Sequence, residues 1–506
     1  MSFLLYIKGL LINYKLVLIL FAISVIIRIP NIDRPISKHH EFNVAFFLIP
    51  MEIWEKEGVK THCYIPPYSY FGENDKNITS PIGVQAGIKN GTNYYLSFPS
   101  FSYLLPYFIF QCLHLEISAL NLQIFNLSMH LILILFLYKT LLLIFRKKNA
   151  ALIGSALYLF APGPLWFHGN AYTHHVLSVL FLVLTLYYAV KLSQAQKSKK
   201  TDYIYLAISL TCLLFTEWIG FLLVFTIGII VLLKRFRNRS FNKAFLFMII
   251  ISLIVFGALY IQYNSFIGWD NYIAYLSNRF EVRSTITNDE TSIISQIINL
   301  FKWYIISYGV WLALIAILLV LYFKKLDIVH TANKHWSTIM LFTLPIILYH
   351  FMFMGFTMSH DYSVLIDGIP MSLLCAFLVS KVDFFTLHSL KFIGVLIVLS
   401  AGQYYFINRP GEFNHNGDRY DVYLKIGESI RENAKLDETI FIKGCNYDIP
   451  ATNPQIMFYA KRNFVAVERK ADAISFLKKH NRTRGIIFTL HKSEISEIIR
   501  LRLDLK

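Results

Sequence analysis

Long apolar runs recur along the first 400 positions of the chain and are separated by short polar connections. Runs of about 17–25 residues are what a helix needs to cross the hydrocarbon core of a bilayer. We therefore expect an α-helical polytopic membrane protein. The pattern predicts eleven spans, near residues 11–29, 121–145, 149–166, 174–191, 203–216, 218–233, 244–264, 300–322, 337–354, 362–380 and 391–407.

Basic residues cluster in every second connection between the predicted spans. The connections at 146–148, 191–200 and 234–243 are strongly basic, whereas those at 166–173 and 355–361 contain no Lys or Arg. Basic loops stay on the cytoplasmic side of a bacterial inner membrane. This alternation predicts a cytoplasmic N-terminus. The polar regions on the exterior, periplasmic side are then 30–120, 265–299 and 408–506.

Two apolar stretches need a separate interpretation. Leu11–Ile29 is long enough to span and lacks a small-residue cleavage site, so we expect a span and not a signal peptide. Phe98–Leu115 contains Pro99 and Pro106 and is rich in Tyr and Phe, as interfacial helices are. Counting it as a span would invert every later loop. We therefore expect a juxtamembrane helix there.

The net charge of +17 is high enough to raise the question of nucleic acid. Much of the excess lies in the short basic loops between spans, where it orients helices. We therefore expect membrane lipids as partners and no nucleic acid.

The polar tail alternates between short helix-like and strand-like patterns. Such alternation predicts a small α/β layer with a mostly parallel sheet. We expect a transmembrane catalytic domain over 1–407 and an exterior α/β domain over 408–506. The predicted strands are Thr439–Lys443, Phe464–Val467 and Gly485–Leu490, and the alternation makes helices of Asp421–Lys435, Pro454–Ala460, Ala471–His480 and Lys492–Leu503.

Glu41 begins the stretch His40–Trp54, in which apolar residues fall at helical spacing on one face. This spacing predicts a helix lying in the membrane plane with Glu41 at its start. A shielded carboxylate at an exterior membrane surface is suited to general base catalysis. The alternative is that Glu41 only favours the N-terminus of its helix.

His174 and His175 open the fourth predicted span directly after an exterior connection. Adjacent helical residues point about 100° apart, so we do not expect both to bind one metal ion, and we assign no metal site. The pair either contacts a substrate, binds a divalent metal with help from His39 and His40, or is only interfacial. Glu217, in a tight exterior turn, either faces the same cavity or marks the membrane boundary.

Arg279 and Arg283 lie one helical turn apart if the 265–299 loop is helical there. Two guanidiniums on one face suit a phosphate or pyrophosphate, although ordinary surface charge is the alternative. His360, Asp361 and Tyr362 stand at another exterior mouth, where polar side chains would contact a phosphate or a sugar hydroxyl.

Four stretches together resemble the GT-C superfamily of polyprenyl-phosphate-dependent glycosyltransferases, in particular the bacterial branch related to protein O-mannosyltransferases and the lipid A aminoarabinose transferase. They resemble the family's first exterior loop with its acidic residue, its Pro-aromatic entry into a juxtamembrane helix, its His-x-Tyr before a late span, and a motif of its C-terminal domain. These stretches are, in that order, Arg28–Pro30 with Arg34–Pro35 leading to Glu41, Asn93–Tyr103, His360–Pro370 and Pro454–Arg462.

This resemblance implies a GT-C-like fold and a hexosyl- or pentosyltransferase of the cell envelope. The donor would be a sugar linked to a polyprenyl phosphate, and the acceptor a lipid, a glycan or a protein. Glu41 would deprotonate the acceptor hydroxyl in an inverting displacement. Arg279, Arg283 and His360 would stabilise the departing phosphate. Many relatives carry a second acidic residue where this chain reads Gly169–His175, which leaves a divalent metal cofactor open.

Two other classes of protein compete with this interpretation. A transporter of lipid or polysaccharide, or a polymerase of surface polysaccharide, would also be a polytopic membrane protein. Transporters place discontinuous helices and charges near mid-membrane, whereas the ionisable residues here cluster at one predicted surface. A non-catalytic assembly protein that binds partners through its α/β tail is the third class.

Overall fold

The computed structural model describes residues 2–37, 39–70, 72–78, 87–195, 199–233, 239–285, 293–323, 328–381, 389–408, 421–445, 453–491 and 494–503. Most of these residues are helical. The helices up to residue 407 are α1 (Ser2–Arg28), α2 (Phe42–Glu57), α3 (Phe101–Leu113), α4 (Ala119–Phe145), α5 (Lys148–Phe160), α6 (Pro162–Phe167), α7 (His174–Gln194), α8 (Lys200–Leu214), α9 (Ile219–Leu232), α10 (Arg239–Ile267), α11 (Trp269–Ser284), α12 (Ile293–Phe323), α13 (Ile328–Met352), α14 (Met354–Ser359), α15 (Gly368–Lys381) and α16 (Ser389–Ile407).

The remaining elements are short or belong to the tail. Three 3₁₀ helices cover Ile29–Asn31, Glu73–Asp75 and Asp361–Asp367. A small hairpin consists of β1 (Gly87–Lys89) and β2 (Thr92–Tyr94). The tail contains α17 (Val422–Asn433), β3 (Thr439–Lys443), α18 (Pro454–Ala460), β4 (Phe464–Val467), α19 (Lys470–Lys479), β5 (Arg484–His491) and β6 (Glu494–Arg502).

Apolar helices of membrane-spanning length confirm the predicted class of α-helical polytopic membrane protein. Within the described residues, six helical segments are long and apolar enough to cross a bilayer. Shorter apolar helices supplement them, and a helix lies at every one of the eleven predicted spans. The six long segments are Tyr14–Asn31, Ala119–Phe145, His174–Gln194, Phe241–Ile267, Ile294–Phe323 and Asp361–Lys381.

Two predicted spans are not continuous α-helices. The span predicted at 149–166 is divided between α5 and α6, because Pro162 forces the preceding Ala161 into an extended conformation and then starts a new helix. The span predicted at 362–380 begins as a 3₁₀ helix of seven residues, Asp361–Asp367, before α15 continues it. Such long 3₁₀ runs are uncommon and often mark functional segments.

Helix α2 corresponds to the helix predicted from His40 to Trp54, but its surroundings differ from the prediction. Nearly all of its residues from Val44 to Trp54 are buried, so it does not have a single apolar face. Helices α3 and α4 cover it on one side, and α18 of the tail covers it on another. The tail therefore covers part of a helix that the sequence placed at the surface of the membrane.

The tail folds as a small α/β domain with the predicted mostly parallel sheet. The strand order is β4-β3-β5-β6, with β3 parallel to both β4 and β5. The segment Lys492–Leu503 is not the helix that the alternation implies, because β6 pairs antiparallel with β5. Its isoleucines favour a strand, and Ile499 lies opposite Ile487 in the register.

Buried polar contacts join this domain to the first long loop of the chain. Arg462 Nε donates to Asp75 Oδ2 at 2.8 Å, and the backbone N–H of Asn463 donates to Asp75 Oδ1 at 2.6 Å. Arg482 donates to three carbonyls within residues 73–76. Burial raises the pKa of Asp75, and Arg462 limits that rise. A charged side chain that is buried and multiply bonded fixes its two segments relative to each other.

Candidate functional site

The predicted site residues converge on one buried region, although five separate parts of the chain supply them. These parts are the segment before α2, the start of α7, the turn between α8 and α9, helix α11, and the residues around the 3₁₀ helix 361–367. Tyr362 connects the two halves of this region, because its ring lies 4.8 Å from that of His40 and 5.6 Å from that of His175. Between them, the ring of His360 lies 6.0 Å from that of His40.

Glu41 lies at one edge of the region, with both carboxylate oxygens engaged. Its Oε2 accepts hydrogen bonds from Arg34 Nη1 at 2.9 Å, from the Ser37 backbone N–H at 2.7 Å and from Ser37 Oγ at 2.8 Å. Its Oε1 lies 2.9 Å from Arg34 Nη2. These contacts tie Glu41 to the segment that precedes it in the chain.

Asp361 lies at the centre of a second set of contacts with the two histidines that precede Glu41. Asp361 Oδ2 is 2.9 Å from His39 Nε2, and Asp361 Oδ1 is 2.9 Å from His40 Nε2. The indole of Trp166 stacks on His39 at 4.7 Å and donates from Nε1 to the His39 carbonyl. Within the described residues, the buried His40 Nδ1 has no hydrogen-bond partner. In the tautomer that carries its proton on Nε2, towards the carboxylate, the lone pair lies on Nδ1.

His174, His175 and Glu217 form a buried cluster on the other side of Tyr362. The two imidazole rings are 4.2 Å apart, and His175 Nδ1 lies 3.2 Å from Glu217 Oε1. Tyr349 donates a short hydrogen bond of 2.5 Å to the same Glu217 oxygen. Glu217 is therefore buried and in contact with side chains of α7 and α13.

The same three residues could hold a divalent metal ion. One ligand atom from each lies within 4.8 Å of the other two. Among the described residues, His174 Nε2, His175 Nε2 and Glu217 Oε2 are buried without a hydrogen-bond partner, which fits a metal-binding set. We did not expect adjacent histidines to bind one ion. In the structure, however, their rings lie 4.2 Å apart in the first turn of α7.

Arg279 and Arg283 lie on α11, one turn apart as predicted. Arg283 is buried, with its guanidinium 4.4 Å from the centre of the Phe98 ring and 5.6 Å from that of Phe356. Its hydrogen bond to Tyr95 is long, at 3.4 Å. Arg279 Nε donates to Ser97 Oγ at 3.1 Å. Within the described part of the chain, no carboxylate forms an ion pair with Arg283.

Several contributors to the site could not be identified from the sequence. Tyr349 lies in the apolar helix α13, and Trp166 lies in α6. Aromatic residues are frequent in membrane helices, so neither has a distinguishing pattern. Tyr95 and Phe98 belong to a stretch that carries the family resemblance, which was the one available signal for them.

No protein-family model matches the chain, and no curated protein matches its sequence significantly. Solved structures do match. ArnT from Cupriavidus metallidurans bound to undecaprenyl phosphate is similar with a TM-score of 0.58 at 11% identity, over 94% of this chain and 93% of that one. The apo oligosaccharyltransferase of Archaeoglobus fulgidus is similar with a TM-score of 0.57 at 10% identity, over 94% of this chain and 69% of that one.

The Archaeoglobus fulgidus enzyme in complex with Zn and sulfate gives a further match, with a TM-score of 0.57 at 13% identity over 93% of this chain and 67% of that one. Identities this low establish similarity of fold and nothing finer. The chain therefore shares the fold of these structures over nearly its whole length, as expected for a GT-C-like architecture.

Proposed function

We propose that this protein is a membrane glycosyltransferase that moves a sugar from a polyprenyl-phosphate-linked donor to an acceptor hydroxyl at the exterior face. The observation that carries this proposal is Arg283, a buried guanidinium without a carboxylate partner among the described residues. A buried unpaired cation is unfavourable, and an anionic group of the substrate would relieve it. The fold shared with ArnT bound to undecaprenyl phosphate supports a lipid-linked phosphate as that anion.

The donor phosphate would bind at α11. Arg283 and Arg279 point from one face of this helix, and guanidiniums bond phosphate oxygens through two parallel N–H groups. His360 lies beside Phe356, whose ring also faces Arg283, so it is positioned as a third contact. Positive charge at this place stabilises the phosphate as it departs.

His40 would take the proton of the acceptor hydroxyl. Its Nδ1 is the free nitrogen of an imidazole oriented by Asp361, which is the arrangement of a carboxylate-assisted base. As the acceptor oxygen bonds to C1 of the sugar, the bond from C1 to the phosphate oxygen breaks. Attack opposite to the leaving phosphate inverts C1. Glu41 would hold the loop through Arg34 and Ser37.

A divalent metal would bind at His174, His175 and Glu217, the residues whose ligand atoms lie together. Such an ion supplies positive charge that polarises a phosphoryl oxygen. Tyr349 would orient Glu217 through its hydrogen bond. Tyr362 would lie between the metal cluster and His40, in contact with both.

The choice of base is tested by two substitutions of adjacent residues. We expect His40→Gln to lower turnover about 10²–10⁴-fold, the usual contribution of a general base. Glu41→Gln should lower turnover by less than about tenfold, because the amide can still accept from Ser37. Donor affinity should change little in either variant. Turnover is measured with purified protein and a polyprenyl-phosphate sugar.

The reverse ranking would restore Glu41 as the base that the sequence predicted. Normal turnover in both variants would show that neither His40 nor Glu41 is the general base. Movement of intact lipid across vesicles, without sugar transfer by the native protein, would favour the transporter class.

A further inference from the structure

The segment before α2 has a strained backbone that must be held from outside. His39 has φ of 49° and His40 has φ of 62°, so two consecutive non-glycine residues are left-handed. This conformation is unfavourable for residues with a Cβ and persists only where surrounding contacts fix it. The two residues concerned are those that contact Asp361.

Some of the contacts that fix this segment come from the C-terminal domain. The Ile36 backbone N–H donates to Tyr459 Oη at 2.7 Å. Gln455 Nε2 donates to the Ser37 carbonyl, also at 2.7 Å. Residues 455 and 459 lie one turn apart and share a face of α18. One backbone group of Ile36 and one of Ser37 are therefore bound by one short helix of the other domain.

Helix α18 is itself held firmly in position. Its first turn is capped by Asn453, whose side chain accepts from the Ile456 N–H at 2.9 Å. At its other end, Lys461 pairs with Glu52 of α2. On its outer side α17 approaches so closely that a Cβ on Gly427 would stand 2.4 Å from the Cβ of Tyr459. Small movements of α18 are therefore restricted, and the side chains of Gln455 and Tyr459 are held in fixed positions.

We propose that Gln455 and Tyr459 are positioning residues through which the C-terminal domain holds His39 and His40 in their active arrangement. This inference rests on the proposed function, in which His40 accepts the proton. The domain thereby completes the site without touching the substrate. Ser37 transmits the effect, because its backbone is bound by Gln455 and its hydroxyl binds Glu41.

The test compares Tyr459→Phe and Gln455→Leu with Tyr405→Phe. The control removes an equally short phenol–backbone bond, 2.6 Å to the Ile27 carbonyl, away from this segment. Hydrogen–deuterium exchange of residues 34–41 should accelerate about three- to tenfold in the two test variants, the effect of one lost hydrogen bond. Exchange within 421–445 and 464–491 should stay as in the native protein.

Turnover provides the second measurement. A slightly misplaced catalytic group lowers rates by about 10–100-fold, so kcat should fall in the test variants while undecaprenyl phosphate binds as before. Unchanged exchange at 34–41 would overturn the proposal. Faster exchange throughout the C-terminal domain would overturn it as well, because the residues would then serve only the folding of that domain. If the native protein showed no transfer, the exchange result would still decide the positioning role.

Discussion

Two buried arginines, Arg28 and Arg283, lie beside pairs of closely packed histidines, but their surroundings differ. The Arg28 guanidinium donates to the Leu165 carbonyl at 2.8 Å, to Ser24 Oγ at 2.8 Å and to His130 Nδ1 at 3.0 Å. His130 in turn stacks on His168 with 4.1 Å between ring centres. Because a guanidinium can only donate, His130 must accept at Nδ1 and is therefore neutral.

Arg283 has much weaker partners. It makes one long hydrogen bond to Tyr95 and lies against the faces of two aromatic rings. One of its neighbouring histidines, His175, contacts Glu217, whereas His168 of the pair next to Arg28 contacts a tyrosine, Tyr158. A ring face offers a cation about 0.5–2 kcal/mol and leaves its N–H groups free to bond.

The comparison shows two different environments for a buried guanidinium, whose charge is unfavourable unless it is compensated. Around Arg28 the chain supplies acceptors for the guanidinium, so its hydrogen bonds fix α1 to the end of α6. Around Arg283 the described residues supply an apolar cradle and few acceptors, which supports the proposed binding site. Burial alone does not distinguish structure from function, whereas the number of satisfied N–H groups does.

The largest expected effect comes from replacing each arginine by Met. Arg28→Met should reduce the free energy of unfolding by about 3–5 kcal/mol, because it leaves buried carbonyl oxygens unbonded. Arg283→Met should change it by less than about 1 kcal/mol. Thermal unfolding in detergent measures both. Equal losses at the two positions would end the distinction between them.

Donor binding should respond in the opposite way. Arg283→Gln should weaken undecaprenyl phosphate binding about 10–100-fold, the value of hydrogen bonds to a charged group. Arg279→Gln should add to the loss, and Lys at either position should recover only part of it, because Lys lacks the planar fork. Lys89→Gln, which removes a cation bonded to the Phe266 carbonyl, is the control. Native affinity in the double Gln variant would refute the phosphate assignment.

The smallest effect concerns the histidine pairs. Zn²⁺ at about ten times its Kd should stabilise the native protein by about 1.4 kcal/mol. Glu217→Gln should abolish this stabilisation, because it removes the carboxylate ligand of the cluster. His168→Gln should retain it, since that histidine faces Tyr158 and not a carboxylate. Retention of the stabilisation in the Glu217 variant would show that zinc binds elsewhere.

The membrane helices were predictable because run length, combined with the alternation of basic loops, distinguishes a span from other apolar segments. The strands of the tail were predictable from β-branched runs such as Thr439–Lys443. Segment 494–502 was wrongly predicted as a helix because strands and helices do not always alternate in α/β folds. Its isoleucines, which favour strands, were the more reliable indication.

The sequence selected residues that lie near one another in the structure, but it did not show which side chains contact which. Glu41 was assigned as the general base because it is the acidic residue that follows the first span. We propose a different role for it because Arg34 and Ser37 bond it. His130 showed no signal at all, because its partner Arg28 is 102 positions away in the chain. Roles depend on contacts between distant segments, and a single sequence does not contain them.

The bond between Ile36 and Tyr459 joins positions 423 residues apart. At about 5–20 residues per second, a ribosome needs roughly 20–85 s to make the intervening chain. During that time every membrane helix can insert, but the segment carrying His39 and His40 lacks one of its supports. A nascent or prematurely terminated chain would then lack the bonds that Tyr459 and Gln455 make to this segment. The order of synthesis thus delays the final arrangement of this segment until the C-terminal domain has folded.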